Sequence, residues 1–259
     1  MNKKLRQLNQ EILTWAKNLP KKEGKYAKPY LIKVSSEYIR ASIKVLIVAK
    51  ETNGWETKPI EKGWDEITVD DLMEHYDNFV NKEWGYSEHD NHRSAVWEFV
   101  ESIRTISEGS NKLYPQYSGI LGTAATNIAL LGYYEEGMPG CDESLKKELA
   151  YFSKRQIEIL NPDIILFTFA HIEKNKNYTD MLELIFGNIF DFNNILNSKT
   201  KFTLLATLER GVKRPLLIFN SYHPIYYRRK GIISELVEQF TSEIIHYIEQ
   251  INVPKVSQL

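Results

Sequence analysis

The sequence predicts an α/β protein, a three-layer α/β/α sandwich around a central, mainly parallel sheet, on three observations. Two runs, "KVLIVA" at 44–49 and "DIILFTFA" at 163–170, are continuously apolar and rich in branched residues, the pattern of strands buried on both faces. Segments with apolar residues at helical spacing precede and follow them, and helices alternating with buried strands specify layers of helix on a parallel sheet. The strands also run out into clusters of polar and aromatic residues rather than into ordinary turn residues.

The elements follow in chain order. Leu5, Leu8, Ile12, Trp15 and Leu19 recur at helical spacing, and Pro20 stops the pattern. "KVLIVA" is the first strand. "TVDDLMEHYDNFVNK" opens with a Thr68/Asp71 capping box and reads as a helix, as does "RSAVWEFVESIRTIS". "SLKKELAYFSKRQIEIL" is a helix that Asn161 and Pro162 end, feeding the strand "DIILFTFA". "FTLLATLERGVKRPLLIFN" reads as two strands joined at Arg210 and Gly211, and the helix "ISELVEQFTSEIIHYIEQI" closes the series. The expectation is one domain over 1–259, with an N-terminal helical extension at about 1–40 and a helical insertion at about 66–110.

Composition narrows the function classes. Lys plus Arg (33) nearly balance Asp plus Glu (34), for a net charge of −1, so any nucleic-acid contact must come from a local patch. The one cysteine, Cys141, excludes an intrachain disulfide and a four-cysteine metal site. "EHDNHR", with His89 and His92, has a loose metal-ligand look but no partner cluster, so no metal and no cofactor are expected. The first residues are too polar for a signal peptide, and no apolar run reaches the roughly 18 residues a membrane span needs. A soluble cytoplasmic protein with no membrane partner is the expectation.

In a parallel sheet, ligands bind where loops converge at the carboxyl ends of the strands. Lys50 to Trp55, Ala170 to His171 and Ser221 to Arg229 all follow buried strands and should face one crevice. Asn127, in "GTAATNIALLGYY", joins them if "TNIALL" is a short strand or a strand end. Glu51 suits a water-activating carboxylate, His223 a donor to developing negative charge, and Asn127 a reader of a planar amide-like edge. Trp55, Tyr222, Tyr226 and Tyr227 offer stacking faces, and Lys213, Arg214, Arg228, Arg229 and Lys230 a basic rim. Aromatics interleaved with cations suit a flipped or single-stranded base with its phosphates.

The segments "VLIVAKETNGW", "TNIALLGYYEEGMPG", "IEILNPDIILFTFAH" and "FNSYHPIYYRRKG" resemble, in that order, the motifs of the uracil-DNA glycosylase superfamily over roughly residues 44–250. The resemblance implies a uracil-DNA-glycosylase-like fold and hydrolysis of the N-glycosidic bond of a uracil-like or damaged base. It places Glu51 and His223 as catalytic residues, and Asn127, Trp55 and Asn53 around the base. Tyr222, Tyr226, Tyr227, Arg228, Arg229 and Lys230 fall on the DNA, with Tyr226 and Tyr227 where the family inserts a wedge. The first loop departs from the family's Gly-Gln-Asp-Pro-Tyr and Gly-Glu-Ala-Pro-Gly forms, with Lys50 adding a cation. The expected partner is DNA or a nucleobase-containing ligand. Two alternatives keep the fold: an inactive nucleic-acid or nucleotide-binding module, and a hydrolase of another small substrate.

Overall fold

A computed structural model describes residues 1–20, 26–49, 62–82, 86–87, 92–93, 95–107, 119–132, 143–169, 176–190, 202–211 and 213–250. Five strands form the main sheet: β1 (Ile43–Ala49), β4 (Leu121–Asn127), β5 (Ile164–Phe167), β6 (Phe202–Arg210) and β7 (Lys213–Ser221). Two short strands, β2 (Tyr86–Ser87) and β3 (His92–Arg93), pair separately. The main sheet runs in the order β4-β1-β5-β7-β6. β4, β1, β5 and β7 are parallel neighbours, and β6 returns antiparallel along β7 to make the edge. The expected turn between the last two strands is there, with Gly211 at φ +64°, a conformation that glycine adopts without steric cost.

The first helix, α1 (Asn2–Lys17), buries Leu5, Leu8, Ile12 and Leu13. It stops short of Leu19 because the chain tightens at Asn18, whose side-chain amide donates to the Thr14 carbonyl at 2.9 Å. A short α2 (Ser36–Arg40) starts at Ser35, whose hydroxyl accepts from the Tyr38 N–H at 3.2 Å. In α3 (Val69–Tyr76) the capping box is present: Thr68 accepts from the Asp71 N–H, and Asp71 accepts from the Thr68 N–H. The expected single helix over 68–82 instead divides, its last part being a π-helical turn (Asp77–Lys82). Widening the turn alters the carbonyl ladder, and the buried Arg104 donates to Val80 O at 3.1 Å.

The remaining helices are α4 (Ala95–Ser107), α5 (Glu143–Leu160), α6 (Lys176–Phe186), α7 (Pro224–Arg229) and α8 (Ile233–Gln250). They fall into two packing groups. α5 packs against α1 and α6, while α4, α7 and α8 pack on one another. In the second group Phe240 of α8 meets Phe99 of α4 and Phe202 and Phe219 of the sheet, at ring-centroid distances of 5.8–6.2 Å. The buried apolar residues, from Leu5 to Ile248, form one cluster through the sheet. β4 runs LGTAATN, upstream of much of the expected "TNIALL", and its small residues let α2 approach closely.

Candidate functional site

The strand register aligns the carboxyl ends. Ala49 pairs with Asn127, Val48 with Phe167, and Phe167 with Asn220, so the last residues of β4, β1, β5 and β7 share one edge. Among the parallel strands the spatial order is second, first, third, fourth. The chain therefore reverses its direction of winding between β1 and β5, the place where open parallel sheets bind ligands in a crevice.

Asn127 is the last residue of β4, is 5% exposed, and its carboxamide has no hydrogen-bond partner among the described residues. Its backbone surroundings are fixed from two sides. The Ile128 N–H donates to Ala49 O at 2.9 Å, and the Ser153 hydroxyl of α5 donates to Ile128 O at 2.7 Å. Just before it, the Thr126 hydroxyl donates to Gln156 Oε1 at 2.7 Å. The result is a planar amide on a nearly buried residue, anchored by its backbone and without a hydrogen-bond partner among the described residues. Such an amide keeps its donors and acceptor for solvent or a ligand.

At the other side of the crevice, β7 ends in Asn220 and Ser221. Asn220, 6% exposed, accepts the Phe169 N–H on Oδ1 at 3.3 Å, tying the end of β5 to β7. Thr168 reaches the other way, its N–H donating to Val48 O at 3.0 Å. These two residues were not singled out in the sequence; a polar residue closing each apolar run, in "LLIFN" and "IILFT", is the signal that marks them.

His223 is the N-cap of α7, and its Nδ1 accepts the Ile225 N–H at 3.2 Å. An accepting Nδ1 carries no proton, so in the neutral ring the proton sits on Nε2 and the imidazole presents a donor there. Pro224, buried at the first helical position, fixes the backbone on which the cap depends. Three strand spacings of about 4.8 Å separate Asn127 from the end of β7, roughly 14 Å. A ligand touching both therefore has to span the crevice.

The aromatic segment divides. Tyr226 meets Tyr222 edge-on at 5.0 Å and Tyr227 at 5.6 Å. Tyr222 and Tyr226 are half-buried, whereas Tyr227 is 1% exposed. The expectation that Tyr227 enters DNA is corrected: a wedge has to protrude, and this ring is part of the core. Burial, followed by the neighbouring Tyr226 and Tyr222, pushes its hydroxyl well above the ordinary phenol range, so it stays neutral.

The basic rim divides as well. Arg214 donates to Ser42 O at 2.6 Å, beside the amino end of β1. Lys213 and Arg214 start β7, whose nine residues extend roughly 30 Å, so they belong to the opposite edge from His223. Arg228 is bound by Glu98 of α4, with Nε and Nη2 at 2.8 and 2.7 Å from Oε2. Arg229 and Lys230 are exposed and make no ion pair among the described residues. Glu98 escaped the sequence reading because nothing local joins it to a residue 130 positions away.

Lys50, Glu51, Asn53, Trp55, Cys141 and His171 lie outside the described residues, as do His89 and the side chain of His92. Among the described residues no group of three or more His, Cys, Asp or Glu is placed to hold a metal ion, and no helix is long and apolar enough to cross a membrane. A separate open groove of about 340 Å³ runs between α5 and α6, lined by Glu143, Lys147, Asp180, Glu183, Leu184 and Asn188. Two of its carboxylates, Glu143 and Asp180, are already bridged by Lys146 at 2.9 and 2.8 Å. Comparisons with protein-family models, with curated proteins and with solved structures found no match.

Proposed function

We propose that the chain binds a nucleobase, presented by a flipped or single-stranded nucleotide, in the crevice at the carboxyl ends of β4, β1, β5 and β7. The observation that carries this reading is Asn127, a nearly buried residue at a strand end whose carboxamide has no hydrogen-bond partner among the described residues. A carboxamide offers one acceptor and two donors in a plane, which complements the alternating donor and acceptor edge of a base. Arg229 and Lys230 supply local positive charge for phosphates on a chain with no net basic charge. The two packing groups of helices support the three-layer sandwich, and with it the uracil-DNA-glycosylase-like architecture that the motifs suggest.

Hydrolysis of the N-glycosidic bond is the chemistry proposed for this crevice. As the bond between the sugar C1′ and the base nitrogen breaks, both electrons leave with the base. The His223 Nε2–H then donates to the anionic base, and a water held by Glu51 attacks C1′ as its proton passes to the Glu51 carboxylate. The alternative, binding without turnover, is favoured by Lys50, whose ammonium follows the strand directly before Glu51.

Single-turnover incubation of excess protein with labelled oligonucleotides carrying uracil, hypoxanthine, xanthine or an oxidised base, scored for alkali-labile abasic sites, tests the reading. Cleavage that falls by about a hundredfold or more in His223→Ala is the expected outcome. Binding with no abasic product from any of these substrates selects the inactive module. Neither binding nor cleavage of any of them would overturn the nucleobase reading.

A further inference from the structure

We propose that Glu98 is a positioning residue of the crevice: by binding Arg228 it locks the short helix that His223 caps, and it withdraws Arg228 from the cations that a phosphate backbone meets. The second half rests on the nucleotide reading of the crevice; the first half does not. The six residues of α7 are far too few to hold a helix alone, since isolated helices below about 12 residues are marginal in water. Tertiary contacts must do it. From inside, Tyr227 is sunk in the core, and the Ile232 N–H closes on Tyr227 O at 2.9 Å through the left-handed turn at Gly231.

From outside, α7 is tied to the neighbouring α4 by Arg228 and Glu98. Two guanidinium nitrogens converge on one carboxylate oxygen, a geometry that resists rotation of either side chain better than a single contact. Glu98 also lies in the first turn of α4, where the helix dipole favours an anion. The consequence reaches His223 through one bond. Its Nδ1 is held by the N–H of Ile225, the second residue of α7, so whatever fixes α7 fixes the ring. For phosphates at α7, the same ion pair leaves Arg229 and Lys230, which make no ion pair among the described residues, and a phosphate would have to displace Glu98 to reach Arg228.

Two measurements on the full chain test this. The first is the salt dependence of binding to a fluorescein-labelled single-stranded 15-mer carrying one uracil, where each neutralised phosphate contributes a slope of about 0.7 in log K against log salt. Arg228→Gln should leave the slope unchanged, Arg229→Gln with Lys230→Gln should lower it by about 1.4, and Glu98→Gln should steepen it by about 0.7 as Arg228 is released. The second is hydrogen exchange at the Ile225 amide. Glu98→Gln and Arg228→Gln should each accelerate it by about fivefold, and the charge-reversed pair Glu98→Arg with Arg228→Glu should restore it. A slope that falls by about 0.7 in Arg228→Gln overturns the withdrawal of Arg228. Unchanged Ile225 exchange in both single variants overturns the positioning role. If the wild-type chain binds no oligonucleotide, the nucleotide reading and the withdrawal fail together, and the exchange result still decides the positioning role.

Discussion

At the scale of single residues, Asn127 and Asn220 are the same side chain in opposite situations. Both are nearly buried at strand ends, but Asn220 accepts the Phe169 N–H while the Asn127 carboxamide has no hydrogen bond among the described residues. Replacing Asn220 by Leu strands a buried N–H and should cost about 1–3 kcal/mol in chemical denaturation. Replacing Asn127 by Leu removes an amide that the fold does not use, so stability should hold or rise while nucleobase affinity falls by about tenfold or more. A clear loss of stability in Asn127→Leu would instead assign the amide a structural task. Asp71 gives a residue-scale prediction with a pH axis. The side-chain hydrogen bond from Lys62, followed by those from Thr68, depresses its carboxyl from 3.8 to about 2. A depressed carboxyl contributes stability above its unfolded value and loses it as pH falls through its folded one. The stability difference between wild type and Asp71→Asn should therefore be flat above about pH 4 and shrink between pH 4 and about pH 2. Because the Lys62 partner is half exposed and the pair is screened by solvent, the difference should not exceed about 1 kcal/mol.

At the scale of elements, legibility followed side-chain mass and length. β1, β5 and β7 were readable because each is an apolar run, and α5 and α8 because 18 residues give a 3.6-residue period room to show. β4 was legible only at its end, Thr126 and Asn127, because Gly122, Ala124 and Ala125 carry little apolar weight. Their smallness has a structural cause: a Cβ on Gly122 would stand 2.6 Å from both Ala41 Cβ and Tyr38 Cα, where α2 crosses the strand. Neither atom belongs to a flexible side chain that could move aside. Gly122→Ala should accordingly destabilise by about 1–3 kcal/mol or more, measured by urea unfolding, and a neutral outcome would mean that α2 sits less tightly on the sheet. α2 itself, five residues long, has no periodicity to detect, and the π-helical turn has the composition of an ordinary helix. The site was legible where residues leave strands, as at Asn127 and His223. It was illegible where a partner came from an element far away in sequence: Glu98 is invisible beside Arg228 until α4 and α7 are packed together.

For the whole molecule, the crevice is assembled from strand ends that the chain supplies far apart in sequence, and the hydrophobic cluster beneath it runs through both helix groups. A ligand that bridges Asn127 and His223 is thus tied to the sheet as a unit, whereas a ligand held only by Arg229 and Lys230 is tied to one short helix. The two cases separate in native-state hydrogen exchange. Binding to the folded state alone stabilises it by RT ln(1 + [L]/Kd), about 2.7 kcal/mol at a hundredfold excess over Kd, which slows exchange of globally protected amides by about a hundredfold. With a saturating uracil-containing oligonucleotide, the central amides of β1, β4, β5 and β7 should all slow by that same factor, because they exchange only when the crevice is lost with the fold. In Asn127→Leu the common factor should shrink in step with the weakened affinity. Slowing confined to the amides of α7, with the sheet unchanged at the same occupancy, would place the ligand on a surface that opens independently of the core and would leave the strand-end crevice without an occupant.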